Sequence, residues 1–187
     1  MRKVMVFNHI SLDGYFVDAK GDMSFAQNTK PDTEWDAYVS GNAAGGGTLV
    51  FGRITYEMMA GFWPTPAAAA AMPAVAETMN NSPKVVFSKT LDKVDWKNTK
   101  LVKADPVGEI RRMKKEPGND MIIFGSGTIV SQLAQNGLIN EYVIIVDPVV
   151  LGKGRTMFAG IKENLRLNLV DTRAFKNGNV LLRYMPA

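Results

Sequence analysis

Three apolar runs end alike, each in a phenylalanine followed by a small residue: Leu49-Val50-Phe51-Gly52-Arg53, Val85-Val86-Phe87-Ser88-Lys89 and Ile122-Ile123-Phe124-Gly125-Ser126-Gly127. If they are parallel strands, their ends share one edge of a sheet, where free backbone N–H groups, hydroxyls and cations converge on an anion. Gly125-Ser126-Gly127-Thr128 follows a strand and opens a helical pattern, the context a pyrophosphate requires, because glycines admit close approach and first-turn amides lack partners. Its spacing, Gly-x-Gly-x-x-Val with Val130 in the last place, argues against a Rossmann fingerprint. Gly52-Arg53-Ile54-Thr55 adds a guanidinium and a hydroxyl, and an arginine fork suits phosphate oxygens. Ser88-Lys89 adds a hydroxyl and a compact charge that could hold a ribose 2′-phosphate. Each exit alone reads equally well as a turn, a helix cap or a solvated surface; together they describe a binder of a phosphate-bearing cofactor.

Proton chemistry has fewer candidates. Asp13 follows the first strand, and Glu34 and Asp36 begin the next helical pattern. Two residues apart, Glu34 and Asp36 cannot both face a cleft, and Asp36 is preferred. A carboxylate there could orient a heterocycle or relay a proton; the competing reading is an exposed or capping residue. His9 is the chain's one histidine, which excludes multi-histidine metal sites and, unless His9 is the base, Ser-His-Asp chemistry; ordinary strand packing is its expected role. Phe62-Trp63-Pro64 forms an apolar loop that could cover a planar substrate, pack on a partner chain or join the core. The 11 methionines are dispersed and read as core filler.

The elements that must position these residues follow from pattern. Strands are expected at Val4 to Ile10, Thr48 to Phe51, Lys84 to Phe87, Leu101 to Lys103, Met121 to Phe124 and Glu141 to Val146. Short β-branched and aromatic runs of this kind suit strands buried on both faces. Helices are expected from an Asp32 N-cap to Gly45-Gly46-Gly47, from Thr55 to about Ala60, from Pro73 to about Met79, from Pro106 to Lys115 and from Thr128 to Asn136, with Gly137 as the left-handed cap. Leu165, Leu167 and Leu169 alternate with polar residues, and Asn177-Gly178 turns the chain back into Val180 to Tyr184 as an antiparallel hairpin. The 187 residues are expected to form one α/β domain.

The net charge of +4 suits a phosphorylated ligand, and without a dense basic run or aromatics alternating with cations it does not indicate nucleic acid. Cysteine is absent, excluding disulfides and thiolate chemistry. No stretch has the length of a membrane span, and the N-terminus is too brief and polar for a signal peptide. A cytoplasmic protein is expected.

Taken in order, Ser11-Leu12-Asp13-Gly14, Phe51-Gly52-Arg53-Ile54-Thr55-Tyr56-Glu57, Ser88-Lys89, Gly125-Ser126-Gly127 and Pro148-Val149-Val150-Leu151-Gly152-Lys153-Gly154 resemble the dihydrofolate reductase-like superfamily. Within it they are most similar to the C-terminal reductase domain of bifunctional riboflavin biosynthesis proteins. The resemblance implies a mixed, mostly parallel central sheet flanked by helices, with NADPH across the strand exits and a homodimer. Carried over, Gly52, Arg53 and Thr55 would meet the cofactor phosphates, Ser88 and Lys89 its adenosine end, and Gly125, Ser126, Gly127 and Thr128 its pyrophosphate. Asp13 would border nicotinamide and substrate. The chain departs from the family pattern at Phe124, where the riboflavin enzymes carry glutamate, and at Met58-Met59-Ala60, where they carry Asp-x-Pro with a downstream arginine. The implied activity is hydride transfer from NADPH to a small planar heterocycle, pterin- or pyrimidine-like, with Asp13 or Asp36 as anchor and Phe62 and Trp63 as cover. The opposing expectation is a non-catalytic nucleotide-binding or interaction module on the same fold.

Overall fold

A single eight-stranded sheet organises the chain. The structure, a computed structural model, describes residues 1–27 and 30–187, without the side chains of Ala43 and Ala44. Its strands are β1 (Val4–Ser11), β3 (Thr48–Gly52), β4 (Lys84–Phe87), β5 (Thr99–Val102), β6 (Met121–Phe124), β7 (Glu141–Asp147), β9 (Leu167–Ala174) and β10 (Val180–Pro186), in the order β5-β4-β3-β6-β1-β7-β10-β9. A small ribbon pairs β2 (Tyr15–Asp18) with β8 (Gly154–Thr156). From β5 to β7 all neighbours run parallel; β10 then runs antiparallel to both β7 and β9. This is the mixed, mostly parallel sheet with a C-terminal hairpin that the sequence led us to expect.

Burial on both faces explains the continuous apolar texture of the inner strands. Helices α5 (Pro106–Lys115) and α6 (Gly127–Gln135) cover one face, where Ile110, Val130 and Leu133 meet Val4, Val50 and Ile123. The other face carries α1 (Thr33–Ala44), α2 (Arg53–Phe62) and α4 (Pro73–Asn81), with Tyr56 and Met79 on Leu49 and Phe51, and Trp35 and Tyr38 beside Phe175. The alanine run after Pro66 forms a short α3 (Pro66–Ala71), and Pro66 and Pro73 each sit in a first helical turn, where a missing N–H costs nothing.

Two buried polar groups anchor the layers. Asp32 caps α1, accepting from the amides of Glu34 at 3.0 Å and Trp35 at 3.2 Å, and its second oxygen accepts from Asn177 at 3.0 Å in the hairpin turn. Burial pushes its carboxyl upward, but these amide bonds outweigh it and hold the group below its ordinary value. Lys84, 1% exposed within β4, donates to the carbonyls of Asn80, Ser82 and Lys97 at 3.1, 2.8 and 3.1 Å and lies 4.5 Å above the Trp96 ring.

Several boundaries differ from expectation, most by one or two residues. Helix α2 begins at Arg53, directly on Gly52, so strand and helix share one junction with no spacer. β5 lies at Thr99–Val102, two residues before the expected start. The β2–β8 ribbon was not anticipated, because neither segment alternates.

Candidate active site

The strand exits coincide. Gly52 pairs with Phe87, so Ser88 lies one residue beyond, while Val50 pairs with Ile123 and sets Gly52 level with Gly125. Helices α2 and α6 therefore start side by side at the C-terminal edge of β3 and β6. Gly52 and Ser126 are their N-cap residues, and neither side chain closes its helix, leaving first-turn amides available.

The two exits interlock. The Gly52 amide donates to the Ser126 hydroxyl at 2.6 Å, which also lies 3.1 Å from the Thr55 hydroxyl. Gly125 and Ser126 both adopt left-handed backbone, φ 59° and 57°. Glycine is required where the loops touch: a Cβ on Gly125 would stand 2.7 Å from Thr55 Oγ1, and one on Gly52 2.6 Å from Ser126 Oγ. From β1, Asn8 accepts from the Gly125 amide at 2.6 Å and donates to Met157 Sδ at 2.7 Å, pinning the loop from the other side.

These exits floor a cleft of about 1810 Å³. It brings together Gly52, Arg53, Thr55 and Gly125 through Thr128, with Phe62 and Trp63 on its lip. Trp35 and Val39 of α1, Met58 and Met59 of α2, and Met72 and Val75 near α4 supply an apolar wall. Phe124 also faces the cleft, 5.8 Å from the Phe7 ring and 6.0 Å from Phe51, so an aromatic row replaces the carboxylate expected from riboflavin enzymes. Among the described residues the fixed charges lining the cleft are Arg53, Arg155 and Lys162, and neither carboxylate nor tyrosine joins them. Arg53 also reaches Glu57 at 3.1 Å, an exposed pair that leaves the guanidinium free to turn.

Other expected residues lie apart from it. Asp13 is a loop staple: the Ser11 hydroxyl and the Leu151 amide donate to one oxygen at 2.6 and 3.1 Å, and the Gly152 amide donates to the other at 2.7 Å. The Ser11 hydroxyl, with those amides, holds its carboxyl below the ordinary value against a smaller opposing desolvation. The oxygens of Asp13, the carboxylate expected to be catalytic, serve the β1–β2 turn and the segment before β8. Asp36, the other carboxylate expected there, is exposed on α1, and helical geometry turns Trp35 and Val39 to the cleft. Ser88 sits at the aligned β4 exit but off the cleft wall; its hydroxyl accepts from the amides of Thr90 and Leu91 at 3.2 and 3.0 Å, while Lys89 is exposed. His9, expected to be a packing residue, lies on the cleft floor with its Nδ1 2.9 Å from Asp147 Oδ2. Neither Asn8 nor Asp147 carried a local sequence signal, because their partners are more than a hundred residues away in the chain.

Known proteins are similar to this chain in sequence and in fold. Two uncharacterized Bacillus subtilis (strain 168) proteins align over nearly the full length: YyaP, 24% identical over 98% of this chain and 94% of its own, and YwjB, 27% identical over 100% and 99%. Among solved structures, a Shewanella sp. PV-4 protein named for riboflavin biosynthesis superposes with a TM-score of 0.74 at 23% identity, covering 99% of each chain. The Thermotoga maritima diaminohydroxyphosphoribosylaminopyrimidine deaminase/5-amino-6-(5-phosphoribosylamino)uracil reductase gives 0.66 at 13% identity over 100% of this chain and 57% of that one. Enterococcus faecalis dihydrofolate reductase, complexed with NADP(H), gives 0.62 at 14% identity over 98% and 96%. Residues 2–181 match the family model of the RibD C-terminal domain, and the chain belongs to that family.

Proposed function

We propose that the protein is an NADPH-dependent reductase of a small planar heterocycle. One observation carries the reading: two uncapped helix N-termini lie side by side on glycine-floored strand exits, in a cleft whose fixed charges are all positive. Such a cradle fits a dinucleotide pyrophosphate, since the amides of Arg53, Ile54, Gly127 and Thr128 have no side-chain cap to displace, and the close contact of Gly52 with Ser126 and of Gly125 with Thr55 lets the two helix starts stand together. Arg53 is placed to meet phosphate oxygens, and Thr55 holds Ser126 in the loop. NADPH would supply hydride; the chain supplies orientation and exclusion of water. Family membership and the reductase and NADP(H) named for two structural neighbours support this reading.

The substrate is expected to be planar and uncharged on the side facing α1–α4. That wall offers Trp35, Val39, Met58, Phe62 and Phe124 and no cation beyond Arg53, so a phosphoribosyl group would lie uncompensated against it. Titration with NADPH and NADH, read by nicotinamide fluorescence and melting temperature, tests the cofactor. Tight NADPH binding, followed by NADPH oxidation on adding pterins or aminopyrimidines, is the expected result. No binding of either nucleotide refutes the reading. The absence of carboxylates among the described residues of the cleft favours a second reading, a non-catalytic nucleotide binder, which predicts binding without oxidation by any member of the panel.

A further inference from the structure

A reduction that adds hydride to a C=N or C=O carbon must also deliver a proton to the heteroatom. Among the described cleft-lining residues there is no Asp, Glu, Tyr or Cys, the guanidinium groups of Arg53 and Arg155 hold their protons too tightly to serve, and the ammonium of Lys162 belongs to an exposed residue rather than to the floor. One imidazole lies on the floor. We infer that His9 is the proton-transferring catalytic residue of this cleft and that Asp147 is its positioning residue, an inference that rests on the reductase reading above.

The pair is built by the sheet. β1 and β7 are parallel neighbours with His9 opposite Ile145 and Ser11 opposite Asp147. The side-chain period of two puts His9 and Asp147 on the same face, and the carboxylate reaches back to the ring at 2.9 Å. Asp147 is 1% exposed, and its second oxygen, Oδ1, is buried with no hydrogen-bond partner among the described residues. A buried carboxylate with one oxygen unsatisfied is costly, and among the described residues the side-chain hydrogen bond it makes is the one to His9. In this assignment Asp147 is the acceptor and His9 Nδ1 carries the proton of the hydrogen bond.

Nε2, across the ring, is thereby left for a ligand and makes no hydrogen bond to a described residue. The side chain is 16% exposed, and its opening is the cleft. Two rings fix its plane: Phe7 on β1 at 6.0 Å, and Trp35 on α1 at 5.9 Å and perpendicular. Among the groups packed on His9 from β1, β7 and α1, Asp147 is the charged one; the carboxyl group of Asp36, next to Trp35, is exposed.

The step balances. Hydride from the reduced nicotinamide forms the new C–H bond, the π pair moves to the nitrogen or oxygen, and the Nε2 proton of the imidazolium completes the N–H or O–H. The ring is left neutral with Nδ1–H still on Asp147, and water at the cleft mouth returns the proton. Asp147 keeps its charge throughout and holds the tautomer, the role a carboxylate plays behind a catalytic histidine.

Because His9 is the sole histidine, its ring nitrogens are the only imidazole signals in ¹⁵N NMR of the whole protein. The neutral ring is expected to show a protonated Nδ1 and an unprotonated Nε2, and Asp147→Asn to mix or reverse the two. With a heterocycle that supports NADPH oxidation, the Nε2 signal is expected to move. His9→Gln should bind NADPH within twofold of wild type while kcat falls by about a hundredfold or more; Asp147→Asn should lower kcat at least tenfold with little change in KM. His9→Gln also covers the case in which Asp147→Asn does not fold. A neutral ring protonated on Nε2, or His9→Gln with wild-type kcat, overturns the proposal. Wild-type protein that binds no NADPH, or that binds it without oxidation by any heterocycle, removes the reductase reading and this proposal with it, whereas oxidation indifferent to His9 removes the proposal alone.

Discussion

Gly52→Ala tests the interlock between the two strand exits. The Gly52 backbone, φ −86° and ψ 170°, is ordinary for alanine, so any cost comes from space alone. The new Cβ would lie 2.6 Å from Ser126 Oγ and 3.2 Å from Ser126 Cβ, with Ile129 Cγ1 at a comfortable 3.6 Å. Rotating the hydroxyl away relieves the first overlap but not the second, so the Ser126 backbone must shift. That shift breaks the bonds to the Gly52 amide and Thr55, about 1 kcal/mol each, and adds roughly 1–2 kcal/mol of overpacking, for about 3–4 kcal/mol in total. Ser126→Gly loses the same two bonds but relieves a non-glycine residue at φ 57°, which recovers about 1 kcal/mol and leaves a net cost of about 1 kcal/mol.

In the Ser126→Gly background both overlapping atoms are gone, and Gly52→Ala should be close to neutral. The cycle therefore predicts a coupling of about 3 kcal/mol, read from urea unfolding of the four proteins followed by tryptophan fluorescence. NADPH affinity should fall at least tenfold in Gly52→Ala and recover in the double variant, because the α2 and α6 amides regain their alignment. Additivity within about 0.5 kcal/mol would show that the exits do not touch as described, and the shared cradle would lose its basis.

Arg53→Ala should weaken NADPH about tenfold while moving the urea midpoint little, because its pair with Glu57 is exposed; fluorescence titration and unfolding check both. Asp13→Asn should lower the melting temperature and leave NADPH affinity intact, as befits a loop staple; an unchanged melting temperature with a collapse in kcat would restore the catalytic role. Burial, helped by Lys97, brings Lys84 down to about 8, below its value in the unfolded chain, so the unfolded state holds the proton more tightly between about pH 8 and 10.5 and stability gains a rising contribution across that window. The difference in urea midpoint between wild type and Lys84→Met should widen there, and a constant difference would refute the assignment. The homodimer implied by the family resemblance has a candidate seam in edge strand β9, where Leu169 and Val170 are 53% and 48% exposed; sedimentation equilibrium of wild type and Leu169→Lys tests it.

The parallel core was legible because a strand covered on both faces must be apolar throughout, and Val85-Val86-Phe87 or Ile122-Ile123-Phe124 admits little else at that length. That the strand exits share one edge was legible too, but the glycines, read as openings for phosphate oxygens, make room for each other's loops through Ser126 and Thr55. What escaped was what tertiary pairing alone decides. The β2–β8 ribbon lacks a pattern of its own and stands beside the staple that Asp13 makes to Leu151 and Gly152.

A carboxylate beside a turn or a helix start is surrounded by unpaired amides, and both Asp13, expected to be catalytic, and Asp32, expected to be a cap, accept from them. The same local signals that make such a residue conspicuous in sequence therefore tend to remove it from chemistry. A group that remains available for catalysis must instead be held by partners that leave one atom idle, and in a parallel sheet those partners come from the neighbouring strand rather than the neighbouring residue. His9 and Asp147 meet this condition across 138 positions of sequence, and the sheet that joins them is the one that aligns Gly52 with Gly125. The cradle and the proton source are thus two products of one register: a shift of β1 against its neighbours would separate Asn8 from Gly125 and His9 from Asp147 together.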